Sequence, residues 1–82
     1  MTREDIIKII NDFLIEDIEV VESAINPDAT FKDDLGIDSL DFVDIVVIVE
    51  KKFGFKIKAE EMSKVNTLGQ FYDYIESKIT NQ

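Results

Sequence analysis

The chain has 82 residues, 45% of them apolar, and carries 18 Asp and Glu against 9 Lys and Arg for a net charge of −9. That length and apolar fraction fit a single domain over residues 1–82 rather than a disordered chain, and the charge argues against nucleic acid or an anionic membrane surface as partner. There is no Cys and no His, which removes disulfides, thiol nucleophiles, the commonest metal ligands and the commonest general base; no metal site and no ordinary hydrolase or transferase site is expected.

No apolar run reaches membrane-spanning length, and the acidic start at Glu4 and Asp5 does not resemble a signal peptide, so a soluble cytoplasmic protein is expected. Size and charge together suit a monomer. Thr2 is placed as the N-cap of a first helix with acids in its opening turn. Ile6, Ile7, Ile10, Phe13 and Leu14 recur at helical spacing, and the stripe predicts a helix ending near residues 15–17. From Asp17 to Asp38 no period is sustained. Ile18, Val20 and Val21 have strand-like composition but no partner strand, and Asn26-Pro27-Asp28 marks a turn. So long a loop needs anchors, and Ile18, Val21, Ile25, Phe31, Leu35 and Ile37 are the residues expected to pin it to the core. Gly36 suits a tight or left-handed turn.

Asp38 is the expected N-cap of the next helix, which puts Ser39 in its first turn, facing solvent. A phosphate on that hydroxyl would sit among free backbone N–H groups at the positive end of the helix dipole. The run Ile45-Val46-Val47-Ile48-Val49 reads as a buried strand by propensity. However, Phe42, Ile45, Val46, Val49 and Phe53 form a helical stripe, and Lys51-Lys52-Phe53-Gly54 suits a helix C-terminus. A helix from Ser39 to about Lys52 follows. With that stripe inward, Leu40, Val43 and Val47 form a second apolar row bordered by Asp38, Asp41, Asp44 and Glu50. The row is either the border of a wide core stripe or a docking surface for a partner with basic groups around an apolar groove. Under the docking reading Asp38, Asp41 and Asp44 are rim charges, whose reversal should weaken docking more than folding.

Residues 55–58 read as an extended connector and residues 59–64 as one or two helical turns with Met62 and Val65 inward. Thr67 and Gln70 form a capping box for a last helix that carries Leu68, Phe71, Tyr72, Ile75 and Ile79 on one face. Asn81 and Gln82 are expected to fray. The fold class is therefore all-α, a small bundle of three long helices and one short, with a long first loop.

Ser39 lacks an activating base and does not sit in a Gly-x-Ser-x-Gly elbow, so it is not read as a nucleophile. Asp33, Asp34, Asp38 and Asp41 lack the spacing of a calcium loop. The stretch Asp34-Leu35-Gly36-Ile37-Asp38-Ser39-Leu40 resembles the signature of the acyl carrier protein family, and the resemblance extends over almost the whole chain. It implies the four-helix bundle, with Ser39 as the attachment point of 4′-phosphopantetheine. A separate phosphopantetheinyl transferase would supply the arm from coenzyme A. The arm's thiol would hold acyl groups as thioesters for fatty-acid, polyketide or related lipid enzymes with basic docking patches, and the protein itself would be no enzyme. Acyl chains are then expected to fold between the helices, with Phe42, Val46, Phe71 and Tyr72 as candidate pocket residues; the alternative is that the large rings of Phe42 and Phe71 fill that space and leave little room for a long chain. Lys51-Lys52 and Phe42 depart from the family's common pattern, where this helix ends acidic and position 42 is smaller. Ile37 favours the acyl over the peptidyl side of the family; a peptidyl or D-alanyl type of carrier and an unmodified acidic docking module are the alternatives.

Overall fold

The computed structural model describes residues 1–80, so the expectation for Asn81 and Gln82 lies outside the described residues. Four helices run in the order α1 (Arg3–Glu16), α2 (Ser39–Phe53), α3 (Ala59–Met62) and α4 (Leu68–Thr80), with a single 3₁₀ turn at Glu22–Ala24. The expected all-α bundle of three long helices and one short is what forms.

Local chemistry sets the boundaries. At α1, Thr2 Oγ1 accepts from the Asp5 amide at 3.2 Å and the Asp5 carboxylate accepts from the Thr2 amide at 3.1 Å, a complete capping box. The same reciprocal pair recurs before α4, where Thr67 accepts from the Gln70 amide and Gln70 accepts from the Thr67 amide, each at 3.2 Å. Helix α2 ends where Gly54 turns left-handed at φ +82° and its amide bonds to the Glu50 carbonyl, a conformation that costs a residue bearing Cβ.

The core lies between α1 and α4. Ile6, Ile10, Phe13 and Leu14 from one helix meet Leu68, Phe71 and Ile75 from the other, all but removed from solvent. Each such side chain contributes about 1.5–3 kcal/mol by burial. Ile7, expected in that stripe, sits half-buried at its edge. Arg3 fastens the rim, 2.8 Å from Asp73 and 3.4 Å from Glu76. Tyr72 is buried against α1, with its hydroxyl donating to Asn11.

The long loop is held much as expected, with one correction. Phe31, Leu35 and Ile37 are buried and Ile18 and Ile25 are half-buried, but Val21 is 66% exposed and Val20 takes the inward place. The Val20 amide bonds to the Leu14 carbonyl at 2.8 Å and directs that side chain inward. Val21 continues in extended backbone (φ −68°, ψ 129°), so alternation turns it outward. The turn at residues 26–29 closes with the Asn26 side chain accepting from the Asp28 amide at 2.8 Å. The described residues contain no strand, only an isolated bridge between Thr30 and Thr67 that ties the loop to the entry of α4.

Candidate functional site

The site begins with a short staple. The Asp34 carboxylate accepts from the Thr30 amide at 2.8 Å and from its hydroxyl at 3.2 Å, and the Ile37 amide reaches the Phe31 carbonyl at 2.8 Å. Gly36, at φ +68°, makes the left-handed turn between buried Leu35 and buried Ile37. These contacts deliver the chain to the start of α2 in one register. The Thr30–Asp34 spacing was a legible signal for the staple, and the sequence reading passed over it.

At the helix start Asp38 is the N-cap. Its Oδ1 accepts from the Asp41 amide at 2.8 Å, while the Asp41 carboxylate accepts from the Asp38 amide at 3.5 Å. Ser39 occupies the next position, exposed, and among the described residues its hydroxyl has no hydrogen-bond partner. The Ser39 and Leu40 amides are likewise unengaged among the described residues. An oxyanion on Ser39 therefore meets two free N–H groups at the positive end of α2, a stabilisation of about 0.3–1 kcal/mol at an exposed site.

Beside Ser39 an open groove of about 870 Å³ runs between the two sides of the bundle. Phe31 and Ile37 from the loop and Phe42, Val43 and Val46 from α2 line it, together with Ile57, Met62 and Val65 from the segment around α3. Ser39 and Gly36 stand in its wall, with Lys32 the only base among the lining residues. Sequence reasoning named Phe42 and Val46 but missed the wall around α3. Phe71 and Tyr72, also expected there, do not line the groove. Phe71 is fully buried behind Phe31, and Tyr72 faces α1.

Along α2, Leu40, Val43 and Val47 are exposed by 76, 59 and 44%. Ile45 and Val49 are buried, and Phe42, Val46 and Phe53 pack half-buried against the core. Asp38, Asp44 and Glu50 are exposed, while Asp41 is half-buried. The capping box gives Asp38 and Asp41 a structural duty that rim charges lack. Reversing either would unsettle the helix start as well as weaken any docking.

A free hydroxyl, unengaged amides and an adjoining apolar groove are the features a phosphodiester-linked arm with an apolar cargo requires. Comparison with known proteins decides the family. The model for the phosphopantetheine attachment site matches residues 7–75. The chain belongs to the phosphopantetheine-attachment family. It is similar to the acyl carrier protein of Thermotoga maritima, 38% identical over 78 residues that cover 95% of this chain and 96% of the relative. It is also similar to the acyl carrier protein of Rubrobacter xylanophilus, 37% identical over 75 residues that cover 92% and 93%. This is a phosphopantetheine-carrying acyl carrier rather than a catalyst, and the covalent arm supplies the thiol that the sequence lacks. Such a carrier interacts with a transferase that installs its arm and with acyl-processing enzymes. No helix among the described residues is long and apolar enough to cross a membrane.

Proposed function

We propose that Ser39 carries the arm and that α2 is the surface read by the carrier's enzymes. The observation that carries the first part is the Ser39 hydroxyl, exposed and unbonded one residue after a cap that uses Asp38 instead. A phosphopantetheinyl transferase moves the phosphopantetheine of coenzyme A onto that oxygen; the serine proton is lost, a phosphodiester forms and the nucleotide leaves. Acyl groups then ride as thioesters on the arm's sulfur. The groove beside Ser39 takes up their apolar chains between visits to enzymes, because leaving each methylene in water forgoes about 0.8 kcal/mol. Leu40, Val43 and Val47, with Asp44 and Glu50 beside them, offer an apolar strip flanked by acids to partners that present Arg and Lys. Asp38 and Asp41 add charge at the same end while capping the helix. Arm supply from coenzyme A and traffic among lipid-forming enzymes belong to the cytoplasm.

Intact mass after incubation with coenzyme A, magnesium and a promiscuous transferase tests the attachment. Wild type should gain one phosphopantetheine, and Ser39→Ala, equally folded by circular dichroism, should gain none. Modification of the alanine variant would place the arm elsewhere. A folded wild type refused by two transferases would instead support an unmodified docking module.

A further inference from the structure

We infer that Phe42 is the residue that sets how long an acyl chain the groove accepts; the inference rests on the sequestration reading above. Phe42 lies three residues after Ser39, half-buried in the groove wall, and its ring meets the edge of Phe31 at 6.1 Å and 73°. Phe31 in turn meets Phe71 edge-on at 5.5 Å and 84°. Phe71 is wholly buried, so behind the two lining rings stands packed core rather than space. Phe31 is fixed by its backbone as well as its ring. Its amide bonds to the Asn66 carbonyl at 3.2 Å, and its carbonyl accepts from Ile37 at 2.8 Å. The remaining apolar wall is made of Ile37, Val43, Val46, Ile57, Met62 and Val65, none of which carries a ring and of which Met62 is readily reshaped. Phe42 is therefore the bulky ring in that wall whose loss opens room without unseating the core. A chain entering from Ser39 fills the space up to the Phe42–Phe31 pair, and methylenes beyond it stay in solvent.

The test uses a phosphopantetheinyl transferase to load wild type, Phe42→Ala, Phe42→Leu and Phe42→Trp with butyryl, hexanoyl, octanoyl, decanoyl and dodecanoyl phosphopantetheine from the corresponding coenzyme A thioesters. Intact mass confirms loading, and thioester cleavage by hydroxylamine and the gain in Tm over the unacylated arm are then read for each length. Protection in wild type should rise with length and then level off, since each methylene admitted favours the sequestered state by about fourfold. The plateau should move to longer chains in Phe42→Leu, further in Phe42→Ala, and to shorter chains in Phe42→Trp, with butyryl unchanged throughout. Phe53→Leu, which removes a half-buried ring of the same helix outside the groove, should keep the wild-type plateau. A common plateau in all variants, or a loaded wild type with no protection at any length, overturns the inference and leaves attachment intact. Failure of wild type to load overturns the attachment reading itself. If Phe42→Ala does not fold, the opposite shifts of the leucine and tryptophan variants decide.

Discussion

A serine at a helix start is itself a good N-cap, and in that role its hydroxyl would be tied to the backbone two or three residues on. In this chain Asp38 takes the cap and bonds the Asp41 amide, so Ser39 keeps its oxygen free one position further in. Asp38→Ala should therefore do two things. It should destabilise the fold by about 1 kcal/mol through the lost cap. It should also slow arm attachment, because Ser39 becomes the best remaining cap and its hydroxyl turns to the backbone. Asp38→Asn keeps the cap without the charge, and urea titration beside transferase kinetics separates the two effects: recovery of both by asparagine marks the cap, recovery of stability alone marks the charge. Gly69 shows a different constraint at the same scale. A Cβ there would lie 2.9 Å from the Pro27 carbonyl oxygen, which already accepts from the Gly69 amide at 2.9 Å. Alanine would gain about 1 kcal/mol in helix propensity but lose about 1–3 kcal/mol to the forced shift of backbone against backbone. Gly69→Ala should lower the urea midpoint, and an unchanged or raised midpoint would show that the Asn26–Pro27 turn yields freely.

Helix α3 has four residues, too short to hold itself, so its position depends on side chains. Ile57 just before it and Met62 at its end are buried, and Glu61 binds it to α4, accepting from the Tyr74 hydroxyl at 2.6 Å and from Lys78 at 2.9 Å. Burial first, and then donation to Glu61, push the Tyr74 hydroxyl from 10.0 up to about 12. The Tyr74 hydroxyl, and next Lys78, hold the Glu61 carboxyl below its ordinary 4.5. The two signs differ. The raised Tyr74 stabilises the fold fully below pH 10 and loses that contribution as pH climbs towards 12. The lowered Glu61 contributes above pH 4.5 and loses its contribution as pH falls through the lowered value. Tyr74→Phe should cost about 1 kcal/mol near neutrality, the low end for a hydrogen bond to a charged group because the pair is partly exposed. It should also remove part of the alkaline loss of stability; buried Tyr72, likewise raised, keeps the rest. Hydrogen exchange should quicken first at the Glu61 and Met62 amides, which share the Lys58 carbonyl. Equal exchange in both proteins would mean that Met62 and Ile57 hold α3 unaided. This tie was not legible in the sequence, because Glu61 and Tyr74 lie on different helices and neither spacing nor composition pairs them. What was legible had local causes. The β-branched run 45–49 became helix because the Asp38 cap, the inward stripe and the Gly54 stop agree against its propensity. Val21 misled because its exposure depends on the bond from the Val20 amide to Leu14, a chain reversal at the end of α1 that no side-chain period announces. The groove was half-read because α2 showed its own wall, and only the fold brings Ile57, Met62 and Val65 to it.

At the scale of the molecule the balance is between a net charge of −9 and a few exposed ion pairs. Arg3 with Asp73 and Glu76, Lys8 with Asp12 and Lys78 with Glu61 have side chains 34–77% exposed. Such pairs contribute about 0–1 kcal/mol each and weaken in salt. Against them, the principal extents of 31 × 26 × 21 Å are matched by a screening length of about 30 Å at ~0.01 M salt, so every surplus acid repels every other. At physiological ionic strength that length falls to about 8 Å, less than the 11.6 Å radius of gyration, and most of the repulsion is gone. The repulsion outweighs the ion pairs, so Tm should rise by several degrees between these conditions, at about 4–8 °C per kcal/mol for a domain of this size. The acids proposed for docking contribute to that cost. Asp44 and Glu50 have no ion-pair partner among the described residues, and Asp44 lies three residues from Asp41 on the same helix. Asp44→Asn with Glu50→Gln should therefore raise Tm at low salt and flatten its salt dependence, while slowing transferase association most at low salt, where steering is strongest. A Tm that falls with salt would show that the ion pairs outweigh the repulsion. A double variant that is more stable yet docks as fast as wild type would leave the acidity of α2 without a role in partner recognition.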